Sequence, residues 1–207
     1  MKTKIFLTAA FFFLLFSQTF SQGVKQGNIG FDLGIGFGIY GANNNDVNDS
    51  VDNGVNAACS LIPFNFSYAL SNNFSAGLDF ERNGFLNNDS TFAHSLNFGI
   101  SGTYRFVNKE KCLFSFAGIV NVSSLTFGDV YSDRRINGNG FNLQIIFTYS
   151  RFYGKHFGYF INTAYTFYKY TELYDEDGNY IKVNNGSVKY ELSLFGANIR
   201  TGVCFKF

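Results

Sequence analysis

Hydrophobic and polar residues alternate one by one along most of this chain, and residues 195–207 show the pattern most clearly. Successive side chains of a β-strand point to opposite faces, so this alternation predicts an amphipathic strand. The mainly apolar face carries Phe195, Ala197, Ile199, Thr201, Val203, Phe205 and Phe207. The polar face carries Gly196, Asn198, Arg200, Gly202, Cys204 and Lys206.

Seven earlier segments alternate in the same way, which makes eight predicted strands. No segment beyond the N-terminal apolar run shows sustained helical periodicity, so the predicted fold class is all-β. Each predicted strand has 9 to 14 residues, enough for the roughly 9–11 residues with which a tilted strand crosses a bilayer. Pro63 cannot donate a backbone hydrogen bond, so we expect a bulge in the second strand. The predicted strands are residues 28–40, 57–70, 74–82, 93–106, 112–123, 140–150, 157–170 and 195–207.

The connections alternate between short turns and long polar loops. This series begins and ends with a long loop, so both termini should lie at the short-turn end of a closed barrel. In bacterial outer-membrane barrels that end faces the periplasm. The short turns are residues 71–73, 107–111 and 151–156, and the long loops are residues 41–56, 83–92, 124–139 and 171–189.

The N-terminus has the features of a secretory signal peptide. Lys2 and Lys4 precede an uncharged apolar run over residues 5–16, and small and polar residues follow it. The run is much shorter than the roughly 20 residues of a membrane-spanning helix, so an uncleaved anchor is the weaker interpretation. We predict a signal peptide at residues 1–21 and one mature domain at residues 22–207.

Composition limits the possible partners. Without Lys2 and Lys4, 14 of the 16 basic residues remain against 15 acidic residues, so the mature chain has no electrostatic case for binding nucleic acid. Only 15% of residues are charged, whereas 28 are Phe and 13 are Tyr. The aromatic surface must therefore face something other than water.

Alternation alone does not say which face of a barrel points inward. A secreted soluble barrel of the lipocalin kind would turn its apolar face inward and its polar face to water. Here the polar face is mostly Gly, Ser, Asn and Thr, whereas a water-exposed surface is usually rich in Lys and Glu. Small residues suit the crowded interior of a narrow barrel, so the pattern favours an apolar face directed at lipid.

The export segment, the strand and loop pattern and the C-terminal run resemble the small eight-stranded bacterial outer-membrane β-barrel proteins, the OmpA-type and OmpX-type, porin-like barrels. The resemblance covers the whole mature chain and implies a transmembrane antiparallel up-and-down barrel in the outer membrane, with periplasmic termini. It also implies outer-membrane lipid, lipopolysaccharide and the barrel-assembly machinery as partners. The implied assembly signal contains Ile199, Val203, Phe205 and Phe207. The chain has no Trp, so an interfacial girdle would consist of Phe and Tyr, such as Tyr40, Tyr68, Tyr104, Tyr149 and Tyr165.

Charged side chains are predicted inside the barrel. Asp32 and Arg200 lie on strands that adjoin when the barrel closes, which makes them candidate partners. Because side chains can fill an eight-stranded lumen, we favour an internal charge network that plugs it over a narrow porin-like channel or small-ligand conduit. A structural or surface-interaction role through the extracellular loops follows, with no cofactor. By alternation the inward charges are Asp32, Asp79, Glu81, Arg105, Arg200 and Lys206.

An outer-membrane lipid-modifying enzyme is a more distant alternative. Such enzymes use serine, histidine and acidic residues, but this chain has only two histidines. His94 should project outward and Ser95 inward, so they cannot form a nucleophile–base pair on a regular strand. His156 falls in a predicted turn. We therefore predict no catalytic site.

Cysteines and acidic loops are two further possible sources of chemistry. Cys59, Cys112 and Cys204 are an odd number for an exported chain. A Cys112–Cys204 bridge is disfavoured by opposed side-chain directions, so three free thiols are the favoured interpretation. No cluster has metal-ligand spacing. The outer loops hold several carboxylates that could bind calcium, but solvated loops have the same composition; these are Asp46, Asp49, Asp52, Glu172, Asp175, Glu176 and Asp177.

Overall fold

The computed structural model describes residues 23–44, 55–86, 92–128, 135–183 and 188–207, and the predicted signal peptide lies outside these ranges. Within them, long strands alternate with tight turns, and a small hairpin precedes the last strand. The strands are β1 (Ile29–Asn44), β2 (Val55–Ala69), β3 (Phe74–Leu86), β4 (Phe92–Asn108), β5 (Cys112–Gly128), β6 (Arg135–Phe152), β7 (Phe157–Tyr174), β8 (Lys182–Val183), β9 (Val188–Lys189) and β10 (Leu192–Lys206).

Eight of these strands close into one antiparallel barrel. Its order is β1-β10-β7-β6-β5-β4-β3-β2, and β8 pairs only with β9 in the separate hairpin. Since β10 returns to pair with β1, the sheet has no open edge, and the predicted all-β up-and-down barrel is confirmed. Across the described ranges, no helix combines the length and apolarity that crossing a bilayer requires.

The apolar face of the barrel points outward. Phe37 is 69% exposed and Val122 is 68% exposed, whereas Asn97 and Thr166 on the opposite face are fully buried. The soluble-barrel alternative is therefore wrong for this chain. An exterior of this kind is stable in lipid, where the backbone groups of spanning strands must be hydrogen-bonded within a closed sheet.

The strands are longer than the alternation predicts. β6 and β7 each contain 18 residues, and a strand of that length extends about 60 Å, well beyond a hydrocarbon layer about 30 Å thick even when tilted. The predicted long loops therefore start too early: β1, β3, β5 and β7 continue to Asn44, Leu86, Gly128 and Tyr174. Beyond the bilayer the outward face no longer needs apolar residues, so the pattern fades while the backbone ladder continues.

The predicted bulge at Pro63 is wrong. Pro63 pairs with Glu81 in an unbroken β2–β3 register, and the β1–β2 register is the same on both sides of Pro63. Two pairs are simply missing from the β1–β2 ladder there, so the absent donor is tolerated without an extra residue. Register shifts occur instead between Arg105 and Val107 and between Asn139 and Gly140.

Both described ends of the chain meet at the short-turn end of the barrel. Ile29 and Phe207 exchange two backbone hydrogen bonds of 2.9 Å. The segment of residues 23–28 then runs across this end, where the Val24 N–H donates to the Asn108 Oδ1 at 2.8 Å. Residues that precede the first strand therefore cover part of the lumen at the short-turn end.

Candidate functional site

The lumen holds a set of buried polar and charged side chains, and the predicted inward charges all project into it. Arg200 is 1% exposed and Glu81 is fully buried. Asp79, Arg105 and Lys206 are also buried, and Asp32 is half-buried on the wall of a cavity. The barrel divides these groups between two levels, a central layer and a cavity nearer the turns.

Arg200 and Glu81 form an ion pair across the lumen. The Arg200 Nη2 lies 2.9 Å from the Glu81 Oε2. The candidate pair of Asp32 with Arg200 is not formed, although β1 and β10 are neighbours as predicted. In the β1–β10 register Arg200 lies opposite Gly36, and Asp32 lies opposite Cys204. The long Arg200 side chain therefore reaches past Gly36 to Glu81 on β3 and does not pair with Asp32 on the neighbouring strand β1.

Neutral polar side chains complete the central layer. The Arg200 Nη2 donates to the Gln144 Oε1 at 2.7 Å, and the Arg200 Nε donates to the Asn198 Oδ1 at 2.7 Å. The Glu81 Oε1 accepts hydrogen bonds from the Gln144 Nε2 at 3.2 Å and from the Asn83 Nδ2 at 3.0 Å. A buried charge pair needs such partners because water cannot solvate it. Their inward positions follow from alternation, but nothing in the sequence pairs them with Glu81 or Arg200.

An aromatic layer closes the lumen on the loop side of this network. It consists of Tyr40, Phe85, Tyr168 and Tyr170, whose rings lie 5.5 Å apart for Tyr40 and Phe85 and 5.9 Å apart for Tyr40 and Tyr168. Aliphatic side chains such as Leu61 and Leu125 pack around the rings. The Tyr168 hydroxyl also accepts a hydrogen bond of 2.6 Å from the Asn83 Nδ2, which ties this layer to the polar one.

Tyr40 corrects the predicted girdle. It is completely buried inside the barrel, whereas Tyr68, Tyr104 and Tyr165 are 47%, 46% and 55% exposed on the outer face. Tyr149 also lies on the outer face, with its ring 5.0 Å from that of Phe114. Alternation puts Tyr40 on the same face as the glycines of β1, so its inward direction could have been inferred from the sequence.

The glycines of β1 and β10 provide the space for these large inward groups. A Cβ atom on Gly196 would lie 2.7 Å from the Tyr40 Cδ1, and one on Gly36 would lie 2.5 Å from the Leu61 Cδ1. Real Cβ atoms do not approach neighbours so closely, so any side chain at either position would force the packing to shift. The glycine row therefore permits close packing rather than an open path.

A cavity with a mixed polar and apolar lining lies between the central layer and the turns. Its volume is about 120 Å³, enough for several water molecules. Asp79 at its upper end accepts a hydrogen bond of 3.0 Å from the Asn121 Nδ2. Arg105 interacts electrostatically with Asp32 and donates from its Nη2 to the Ser75 Oγ at 2.5 Å, while its Nη1 has no hydrogen-bond partner among the described residues.

The segment of residues 23–28 forms part of the floor of this cavity. Val24 packs with Leu113, Phe152 and Cys204 in a small buried cluster. Asn108 holds the Val24 backbone with two hydrogen bonds of 2.8 and 2.7 Å. Lys206, also at this level, donates from its Nζ to the Glu110 carbonyl at 3.1 Å and lies 4.1 Å from the centre of the Phe152 ring.

The cysteines occupy three different environments. Cys59 lies in the buried cluster around the aromatic layer, and Cys204 lines the cavity and contacts the Val24 cluster. Cys112 begins β5 and is half-buried. All three are free thiols in the structure. Their reactivities should differ strongly because burial limits access of reagents to a thiolate.

The histidines lie apart from any assembled nucleophile. Ser95 is fully buried in the lumen, whereas His94, the next residue, lies on the outer face with its ring 6.4 Å from that of Phe92. His156 lies in the β6–β7 turn, where its Nδ1 is 2.8 Å from the Lys206 carbonyl and its ring stacks on Phe207. The opposed directions of His94 and Ser95 are those that alternation predicts.

Asp175 and Glu176, two acidic residues of the last loop, already have protein partners. The Asp175 Oδ1 accepts the Asn179 N–H at 2.7 Å, and the Glu176 Oε1 accepts the Arg135 N–H at 2.8 Å. Among the residues that the structure describes, no three His, Cys, Asp or Glu side chains form a group that could hold a metal ion. Asp46, Asp49 and Asp52 lie outside the described residues.

Comparison with known proteins identifies the fold. No family model and no curated protein matches the chain. The outer membrane protein OprG from Pseudomonas aeruginosa is similar in structure, with a TM-score of 0.60 and 14% identity over 90% of this chain and 99% of OprG. The outer membrane protein AlkL, solved in DMPC lipid bilayers, has a TM-score of 0.52 and 16% identity over 92% of this chain and 94% of AlkL. The predicted resemblance to small outer-membrane barrels is confirmed at the level of the fold.

Proposed function

We propose that this chain is an integral protein of the bacterial outer membrane, exported by a signal peptide at residues 1–21 and oriented with both termini in the periplasm. The outward apolar face and the likeness in fold to outer-membrane barrels support this location. Outer-membrane lipid and lipopolysaccharide would surround the apolar band. The barrel-assembly machinery would read the terminal strand, where Ile199, Val203, Phe205 and Phe207 all lie on the outer side by alternation.

Its role in that membrane is structural or a surface interaction through the extracellular loops. The observation that carries this proposal is the double closure of the lumen, by the Arg200–Glu81 network and by the aromatic layer above it. Solutes would have to displace both a buried ion pair and a packed cluster to pass. The barrel is then a scaffold for its loops rather than an enzyme, consistent with the opposed directions of His94 and Ser95.

A narrow porin-like channel or small-ligand conduit is the second candidate. The cavity of about 120 Å³ favours it, because its wall carries charges of both signs from Asp32, Asp79 and Arg105. A conduit would need the central and aromatic layers to open toward the loops. The scaffold role requires the central and aromatic layers to stay closed in a membrane, whereas the conduit role requires them to open.

Single-channel recording in planar bilayers tests the proposal. We expect the refolded wild-type chain and its Lys169→Ala variant, altered at an exposed site, to be silent. A double variant, Tyr168→Ala with Arg200→Ala, removes a part of each closing layer and should produce discrete conductance steps. Folding of each protein is checked by its heat-dependent electrophoretic mobility. Discrete steps from the wild type, altered by Arg200→Ala alone, would overturn the closed-lumen role and support the conduit.

A further inference from the structure

The outer surface of β6 changes character toward the β6–β7 turn. Phe147 packs against Phe106 and Phe114 with ring distances of 5.8 and 6.2 Å, in the apolar band. Tyr149 follows two residues later, and Arg151 two residues after that. All three project outward. Four residues of strand span about 13 Å, so Arg151 lies about that far along β6 from Phe147, on the side of the turn.

Arg151 is surrounded by tyrosines on this surface. Tyr159 of β7 is its direct cross-strand partner, and Tyr149 and Tyr153 precede and follow it at spacings of two residues. The rings of Tyr149 and Tyr159 lie 6.3 Å apart, and those of Tyr153 and Tyr159 lie 5.7 Å apart. The guanidinium makes a side-chain hydrogen bond with Tyr149. The cation therefore stands within a group of amphipathic rings that suit a membrane interface.

Further basic residues flank this group in the adjoining turns. Lys111 ends the β4–β5 turn, and its carbonyl accepts the Phe152 N–H at 3.0 Å, which places it beside Arg151. Lys155 lies in the β6–β7 turn, and both lysines are exposed. The β2–β3 turn, by contrast, consists of uncharged residues over 70–73. Two exposed lysines thus flank Arg151 in this sector of the turn end, together with the acidic Glu110 of the β4–β5 turn.

We propose that Arg151, with Tyr149, Tyr153 and Tyr159 and the neighbouring Lys111 and Lys155, binds the phosphate of an anionic phospholipid. The guanidinium offers paired N–H donors that match phosphate oxygens, and the tyrosine hydroxyls add further donors. The lipid's acyl chains would lie along the Phe106, Phe114 and Phe147 cluster above. The site deepens the proposed function, since it assumes that this surface faces lipid, and it assigns the turn end to a phospholipid leaflet.

Arg82 provides a matched control. It also projects outward from a barrel strand, but its cross-strand neighbours are Ile62 and Leu96, and Phe80 and Gly84 occupy the positions two residues away. No tyrosine stands at any of these four positions. Both arginines have the same charge and reach, so a difference between their variants isolates the contribution of the surrounding group.

Native mass spectrometry of the full chain refolded in detergent micelles tests this site. Phosphatidylglycerol and diacylglycerol with the same acyl chains are titrated against the wild type, Arg151→Gln and Arg82→Gln. We expect the wild type to bind phosphatidylglycerol about tenfold more tightly than diacylglycerol, as loss of a charge-assisted phosphate contact implies. Arg151→Gln should abolish this preference, and Arg82→Gln should retain it. Heat-dependent mobility verifies that each variant is folded.

Three results would overturn the proposal: equal binding of the two lipids by the wild type, an undiminished preference in Arg151→Gln, or equal losses in the two arginine variants. Soluble glycerol phosphate is added as a competitor in a parallel arm. If it displaces phosphatidylglycerol at equal concentration, the site recognises free phosphate and the assignment to a lipid fails. Lipid binding is measured in micelles and does not depend on conductance or on the location of the protein in a cell. A negative binding result would therefore reject the lipid site without rejecting the proposed function.

Discussion

Arg200 and Glu81 show how a charge can be kept inside this barrel. Removing two ions from water is expensive, and their attraction offsets that cost only when further hydrogen bonds satisfy the remaining donors and acceptors. Here the Arg200 Nη2 donates also to Gln144 and its Nε donates to Asn198, and Gln144 and Asn83 donate to the Glu81 carboxylate. The pair is consequently part of a fixed network.

Loss of one partner should destabilise the barrel strongly. We expect Arg200→Ala to lower the free energy of unfolding by about 3–5 kcal/mol, because Glu81 would remain buried without its counter-charge. Urea unfolding of the chain in lipid vesicles, followed by circular dichroism, measures the change. Lys169→Ala is the control: it removes an exposed pair with Glu191, 3.3 Å apart, and should cost no more than about 1 kcal/mol. Equal losses in the two variants would contradict the assigned network.

The barrel strands differ in sequence pattern between their middle parts and their loop-side ends. Their middle parts alternate strictly, because one side meets the apolar exterior and the other meets the lumen. Their loop-side ends do not alternate in the same way, yet the ladder continues to residues such as Asn44 and Gly128. Backbone hydrogen bonding needs no particular side chain, so a strand can extend past the layer that imposes the pattern.

A substitution at Phe207, the last residue of the sequence, should affect assembly and stability differently. Phe207 is 62% exposed, and its hydrogen bonds to Ile29 involve backbone atoms that alanine retains. Phe207→Ala should therefore change the free energy of unfolding by only about 0.5 kcal/mol, as expected at an exposed position. Insertion by the reconstituted barrel-assembly machinery should nevertheless fall several-fold if this ring is part of the assembly signal.

Phe195→Ala is the matched control for this experiment. Phe195 is an outward aromatic residue near the other end of β10 and lies outside the assembly signal. Insertion rates and unfolding free energies are measured for both variants. A similar insertion rate for the two would remove the special role of Phe207, and a large loss of stability in Phe207→Ala would make its role structural.

The molecule as a whole is a closed cylinder with a compartment near the turns. The aromatic layer and the ion-pair network bound this cavity toward the loops, and Val24 and its neighbours cover part of the opposite side. Cys204 lines the cavity, whereas Cys59 is buried in the cluster of the aromatic layer, opposite Phe85 on β3. The two thiols therefore report separately on the cavity and on the layer that closes it.

Loosening the floor should expose Cys204 but not Cys59. Asn108 makes hydrogen bonds of 2.8 and 2.7 Å to Val24 and one of 2.6 Å to the Asn72 carbonyl. Asn108→Ala removes all three, each worth about 1 kcal/mol, so we expect labelling of Cys204 by a charged methanethiosulfonate reagent to accelerate about tenfold or more. Peptide mass spectrometry distinguishes the thiols. Parallel acceleration at Cys59 would indicate opening of the closing layers and contradict the compartment.

The amino-acid sequence was sufficient for the strand pattern, the inward set of charges and the resemblance to outer-membrane barrels, because alternation is a local property with a period of two residues. The same alternation places Tyr40 inside the barrel, so its prediction as part of the outer girdle was wrong for a reason visible in the sequence. The partners inside the lumen could not be obtained in this way. Whether Arg200 reaches Glu81 or Asp32 depends on how eight strands close and stagger, and on which neighbours are glycines that leave space. Those relations join residues far apart in the chain, so they exist only in the closed barrel.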